Sequence, residues 1–226
     1  MQYKVVKFPD QIKKDLLDIR TRAEKLFSNY KNSFICHKGC ADCCVVFSWS
    51  LIEAAYICYQ FNRNTSLIDL NIFTKRIDDL DKIFEERKST LTSPKSPLLR
   101  LRSSEEASYF SNILADQQCP FLAGNNSCTI YNFRPIICIM FGSMDKNLCK
   151  IGLEDRIFPF KDQSYDYHFR KIERKLESLS KNFLRKFSPQ LLRLRPKLFT
   201  PINRWIEVKD GKFLLCLPGV RLEILP

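Results

Sequence analysis

Cys36, Cys40, Cys43 and Cys44 stand within nine residues, spaced C-x3-C-x2-C-C. Thiolates gathered in this way ligate borderline and soft metals: zinc, iron–sulfur clusters or copper(I). The side chains of adjacent residues diverge, so Cys43 and Cys44 call for two neighbouring centres or one multinuclear cluster. Further thiols come from a second stretch, Cys119, Cys128 and Cys138, with Cys149 just beyond. Of the 10 cysteines, that leaves Cys58, inside a helical pattern, and Cys216, inside a strand pattern. Cys58 reads as a buried core thiol and Cys216 as a structural one. The remaining eight, Cys36, Cys40, Cys43, Cys44, Cys119, Cys128, Cys138 and Cys149, suffice for two four-cysteine centres or for one four-iron cluster with thiols to spare.

How the cysteines are read depends on compartment. The N-terminus carries no apolar stretch followed by a small-residue cleavage site, and no apolar run approaches the length of a membrane span. A cytoplasmic, soluble protein is expected, with no membrane partner. Clustered cysteines there hold metal or do chemistry more often than they form disulfides. A chain of 226 residues that is 45% hydrophobic can bury a core without disulfides. The formal net charge is +12. Two zinc ions, each held by four thiolates, would still leave about +8. That excess suits an acidic protein partner and also permits nucleic acid, although solvated helix faces account for the charged tail more simply. Two histidines, His37 and His168, are few for an imidazole-type catalytic metal centre.

Several elements must position the thiols. Ile12, Leu16, Ile19, Ala23, Leu26 and Phe27 recur at helical spacing over 10–30. Ser50-Leu-Ile-Glu53 is a capping box that opens a helix to about Phe61, so the first cysteine cluster lies in the loop entering that helix. Leu70, Phe73, Ile77, Leu80 and Phe84 mark a helix within 66–88, a loop follows over 89–97, and another helix is expected over 104–115. Gly124-Asn-Asn-Ser, between Cys119 and Cys128, is a turn that brings the chain back. Residues 171–187 form a basic amphipathic helix, and Asp210-Gly211 between strand-forming runs signals a β-hairpin. The expected class is mainly α with irregular metal-binding loops and a small C-terminal β-hairpin, a helix-dominated α+β fold. A cysteine-cluster domain over 1–150 would carry a basic helical and hairpin extension, 151–226, packed on it.

C-x3-C-x2-C-C, then Cys119-Pro-Phe-Leu, then Cys128-Thr-Ile-Tyr-Asn-Phe-Arg134-Pro-Ile-Ile-Cys138, with Cys149 as the late cysteine, resembles the YkgJ-type cysteine-cluster family of zinc- or iron-chelating domains. The matching segments are 36–44 and 119–149. Where that family usually has Arg after the cysteine matched by Cys138, this chain has Ile139. The resemblance implies zinc or, as the second reading, iron or an iron–sulfur cluster. Donors to thiolate sulfur tune such centres, and Tyr131 and Arg134 are the candidates for that role. Phe121, Leu122, Ile130, Phe133 and Phe141 would form the apolar wall.

The leading reading is a metal-binding protein with an all-thiolate site built from two segments, since closed thiolate shells are usually structural. The alternative follows from a distant similarity to flagellin lysine N-methylases. It implies methyl transfer from S-adenosylmethionine to a lysine of a flagellin-like substrate, with an iron–sulfur cluster. Only 6 glycines, none in a Gly-rich loop after a strand, weigh against a standard nucleotide-binding methyltransferase fold. Catalytic residues are not identifiable from the sequence.

Overall fold

The computed structural model of the protein describes residues 3–30, 48–64, 68–91, 117–140, 163–193, 199–201, 205–217 and 219–226. The apolar stripe Ile12, Leu16, Ile19, Ala23 is buried along helix α1 (Asp10–Tyr30). Asp10 lies in the first turn, where its charge suits the positive helix end, and the Pro9 carbonyl accepts the Lys13 N–H at 2.9 Å.

Helix α2 (Leu51–Arg63) is buried on nearly every face, as its run of Leu, Ile, Ala, Tyr and Phe requires. Its capping box forms as the sequence implies, with Ser50 Oγ accepting the Glu53 N–H and the Glu53 carboxylate accepting the Ser50 N–H. A second orphan donor of that first turn, Ile52 N–H, is met by Ser180 Oγ at 3.2 Å from a distant helix. Helix α3 (Leu70–Leu91) buries Phe73, Ile77 and Leu80 and runs slightly past the expected boundary. Two short helices follow, α4 (Ile136–Met140) and, after the long helix α5, α6 (Gln190–Arg193). The long helix α5 (Gln163–Phe187) starts eight residues before the expected Lys171, because no breaker intervenes and Phe169 extends the stripe Ile172, Leu176, Leu179, Phe183. The helix expected over 104–115 lies outside the described residues.

The C-terminal hairpin is present and is part of something larger. Strands β4 (Ile206–Lys209) and β5 (Lys212–Leu217) pair around Asp210 (φ 51°) and Gly211 (φ 73°), the two left-handed positions that a type I′ turn demands. Strand β6 (Val220–Leu225) then pairs antiparallel with β5 and parallel with the N-terminal strand β1 (Lys4–Lys7). The sheet order is β1-β6-β5-β4, so both ends of the chain lie in one sheet. A separate ribbon joins β2 (Ser48–Ser50) to β3 (Phe199–Pro201). Phe8, fully buried just after β1, meets the rings of Tyr56, Tyr59 and Phe183 at 5.4 to 6.0 Å, and one continuous core runs from Val6 to Ile224. No helix among the described residues is long and apolar enough to cross a membrane.

One polar side chain welds helix to sheet. The β5–β6 ladder begins at Leu214↔Glu223, and the next pair would be Phe213 and Ile224. There the Asn62 side chain of α2 donates to both carbonyls, at 2.9 and 3.0 Å, and accepts the Phe213 N–H at 2.9 Å. Asn62→Leu would keep the volume and leave these backbone groups unmet. It is expected to cost about 2 kcal/mol, read as a lowered urea midpoint with an unchanged m-value.

Candidate metal centre

The second cysteine stretch, described over 117–140, has little regular structure of its own. A turn closes it near the start: Ala123 N–H donates to the Ser127 carbonyl at 2.8 Å, and Asn126 takes a left-handed conformation (φ 60°) that asparagine tolerates. Asn125 Oδ1 accepts from both the Ser127 N–H and its hydroxyl, and Leu122 bridges Cys128. The Gly-Asn-Asn-Ser run thus returns the chain, and Cys119 and Cys128 stand on the same small loop. A single 3-10 turn, Tyr131–Phe133, and α4, which carries Cys138, complete the segment.

Its position is set from outside, by one charged side chain from each of the three N-terminal helices. Arg20 of α1, 6% exposed, donates to the Arg134 carbonyl and, at 3.2 Å, to the Asn132 carbonyl. Glu53 of α2 accepts the Ile136 N–H at 2.6 Å with Oε1, while Oε2 takes the Ser50 hydroxyl at 2.6 Å. Arg76 of α3 donates to the Leu122 carbonyl, to the Cys119 carbonyl at 3.1 Å and to the Gln118 side chain at 3.1 Å. Glu53 therefore caps two helices at once, its own and α4, and its negative charge suits both N-termini. The sequence marked Glu53 only as a capping residue and gave no sign of Arg20 or Arg76. An arginine on the apolar side of an amphipathic helix, as Arg20 is beside Ile19 and Ala23, is the signal that could have found the first.

Phe121 plugs the segment into the core. Its ring stacks on Trp49 (5.4 Å, 19°) and Phe61 (5.5 Å, 8°) and tilts against Phe73 at 4.9 Å. Leu122 and Ile130 are buried, Phe133 is half-buried edge-on to Phe61, and Ile139 is buried at 2% exposure. Phe141 lies outside the described residues. The Arg134 guanidinium sits over the Tyr131 ring at 4.2 Å, with Tyr131 exposed.

The thiols divide by environment. Cys58 is fully buried in α2, and burial pushes its pKa well above the ordinary thiol value. Cys216 in β5 is pushed up to about 12, chiefly by burial, and its Sγ lies 3.5 Å from Glu207 Oε2, which Arg221 also holds at 2.6 Å. Neither has the open, electropositive setting that makes a thiolate. Cys119, Cys128 and Cys138 are each half-buried. Thiols at that depth fit zinc or iron as ligands. Among the described residues no three His, Cys, Asp or Glu side chains converge into a metal-holding group. Cys36, Cys40, Cys43, Cys44 and Cys149 lie outside the described residues.

Burial raises the Glu53 pKa, with the Ser50 and Ile136 hydrogen bonds and the Arg20 charge pulling the other way; burial likewise lowers that of Arg20. As pH rises through the ordinary glutamate range, the unfolded chain releases this proton before the folded one does. Glu53 therefore subtracts stability progressively from there up to its raised folded value. Glu53→Gln is expected to remove that slope from the pH dependence of unfolding. At neutral pH the variant, with a buried donor unmet, should be less stable by about 1 to 3 kcal/mol. Hydrogen exchange at the Ile136 amide should quicken more than at amides of the β5–β6 ladder.

The CxxCxxCC family, described as a putative zinc- or iron-chelating domain, matches residues 35–164, more than half of the chain. No curated protein and no solved structure matches it. The span takes in both cysteine stretches and the helices whose Glu53 and Arg76 grip the second, and the chain belongs to the CxxCxxCC family of zinc- or iron-chelating domains.

Proposed function

We propose that the chain holds its zinc or iron on an all-thiolate site assembled from two segments. Cys36, Cys40, Cys43 and Cys44 come from the first segment, and Cys119, Cys128, Cys138 and Cys149 from the second. The observation that carries this reading is the Trp49–Phe121 stack at 5.4 Å. Trp49 follows Cys44 by five residues and Phe121 follows Cys119 by two, so the chain flanking each cluster is packed against the other. Five residues of extended chain reach about 17 Å, ample to bring Cys44 to the second segment. Arg20 adds a tie from the other flank, because α1 ends six residues before Cys36 in the sequence.

A buried donor supports the same reading. Trp49 Nε1 meets no acceptor among the described residues, and an unmet buried N–H is costly. Thiolate sulfur is an acceptor that would answer it, and donors of this kind steady electron-rich centres. Tyr131 and Arg134 are assigned the same supporting role. The metal would supply cross-linking energy to a segment with little structure of its own. Closed thiolate ligation suits a structural, stored or carried ion, and no observation favours the methyl-transfer alternative.

Anaerobic purification followed by elemental analysis and an absorption spectrum tests the proposal. Zinc at fixed stoichiometry, or iron with visible charge-transfer bands, is the expected result, and protein that is folded and metal-free would sink it. Cys43→Ser and Cys128→Ser should each lose metal and destabilise the fold by about 3 kcal/mol or more. Cys58→Ser and Cys216→Ser should retain full metal content whatever they do to packing.

A further inference from the structure

Between the second half of α1 and the first half of α5 lies a groove of about 350 Å³. Ile19, Leu26 and Ile172 supply its apolar lining, and Arg22, Lys25, Lys171, Lys175 and His168 supply its polar lining. Four positive charges face the groove, and no carboxylate among the described residues lines it. Arg22 is paired with Asp18 at 2.8 Å, whereas Lys25, Lys171 and Lys175 have no ion-pair partner among the described residues. Arg22 and Lys25 stand at i,i+3, and Lys171 and Lys175 at i,i+4, so each pair shares a helix face and repels. Two such pairs converging on one groove raise the cost to the free protein, and a bound anion would relieve it.

We infer that this groove is a docking site for an acidic peptide segment carrying a large apolar side chain. Charge complementarity selects the carboxylates, and the aliphatic floor selects the apolar residue between them. A nucleic acid would leave that floor unused. Among the described residues no Phe, Tyr or Trp lines the groove for a base to stack on, His168 being its one ring, and its cations are mostly lysines, which lack the bidentate fork that arginine offers a phosphate. The inference is independent of the metal, since every described lining residue belongs to α1 or α5 and none of them is a cysteine.

Fluorescence anisotropy on the full chain tests it, with a short fluorescein-labelled peptide of repeating Glu-Glu-Leu as the probe. The peptide should bind with an affinity that falls as salt rises. The double variant Lys171→Glu/Lys175→Glu on α5, and Lys25→Glu alone on α1, should each weaken it by about tenfold or more. A Glu-Glu-Gly peptide should bind more weakly, because it lacks the apolar side chain. Circular dichroism melting confirms that the variants, all changed at solvated positions, remain folded. Absence of peptide binding, or equal binding by folded variants, overturns the inference. So does a single-stranded oligonucleotide of equal charge that binds more tightly than the peptide and is lost in the same variants, because the site would then be one for nucleic acid.

Discussion

A carboxylate buried at Glu53 has to be satisfied on both oxygens, and that requirement organises the structure around it. Ionising a carboxyl away from water is costly unless donors surround it. Here the donors are the Ser50 hydroxyl and N–H on one side and the Ile136 N–H on the other, with the Arg20 charge nearby. These groups come from β2, α4 and α1, so the cost can be met only in one mutual arrangement. A hydrophobic contact tolerates sliding, whereas a buried charge with directional bonds does not, and this one specifies position as much as it contributes stability.

Legibility in the sequence followed the range of the interactions. Local periodicity revealed α1, α2 and α3, the capping box at Ser50 and the Asp210-Gly211 turn, because each signal lies within a few residues of its cause. The parallel pairing of β1 with β6 was illegible: Lys4–Lys7 is four residues long, and its partner is more than two hundred residues away. The β2–β3 ribbon was hidden for the same reason. In the candidate site, the cysteine spacing and the returning turn at Asn126 were readable. The grip of Arg20 and Arg76 on backbone carbonyls was not, because a carbonyl acceptor leaves no mark in the residue types of the segment that offers it.

Environment separates the cysteines more clearly than spacing does: Cys58 is fully buried, while Cys216, half-buried like Cys119, Cys128 and Cys138, is held beside Glu207. Burial raises the pKa of both Cys58 and Cys216 and keeps them protonated. Cys119, Cys128 and Cys138 sit on a loop and a short helix at intermediate depth, which leaves their sulfurs within reach of an ion. A motif count alone would have treated all five described thiols alike.

The second cysteine segment could not hold its shape by itself. A 3-10 turn and a five-residue helix are far below the length at which helices persist in water. Phe121 is its largest buried anchor, joined by Ile130, Ile136 and Ile139, and hydrogen bonds to its backbone arrive from three separate helices. Such ties fix where the segment lies and contribute modestly, each on the order of 1 kcal/mol net. A segment so well placed and so poorly self-supported is suited to a cross-link at its thiols. Bound metal would then add to stability where the chain supplies least, and the polar grip would keep the ligand loop in register before the ion arrives.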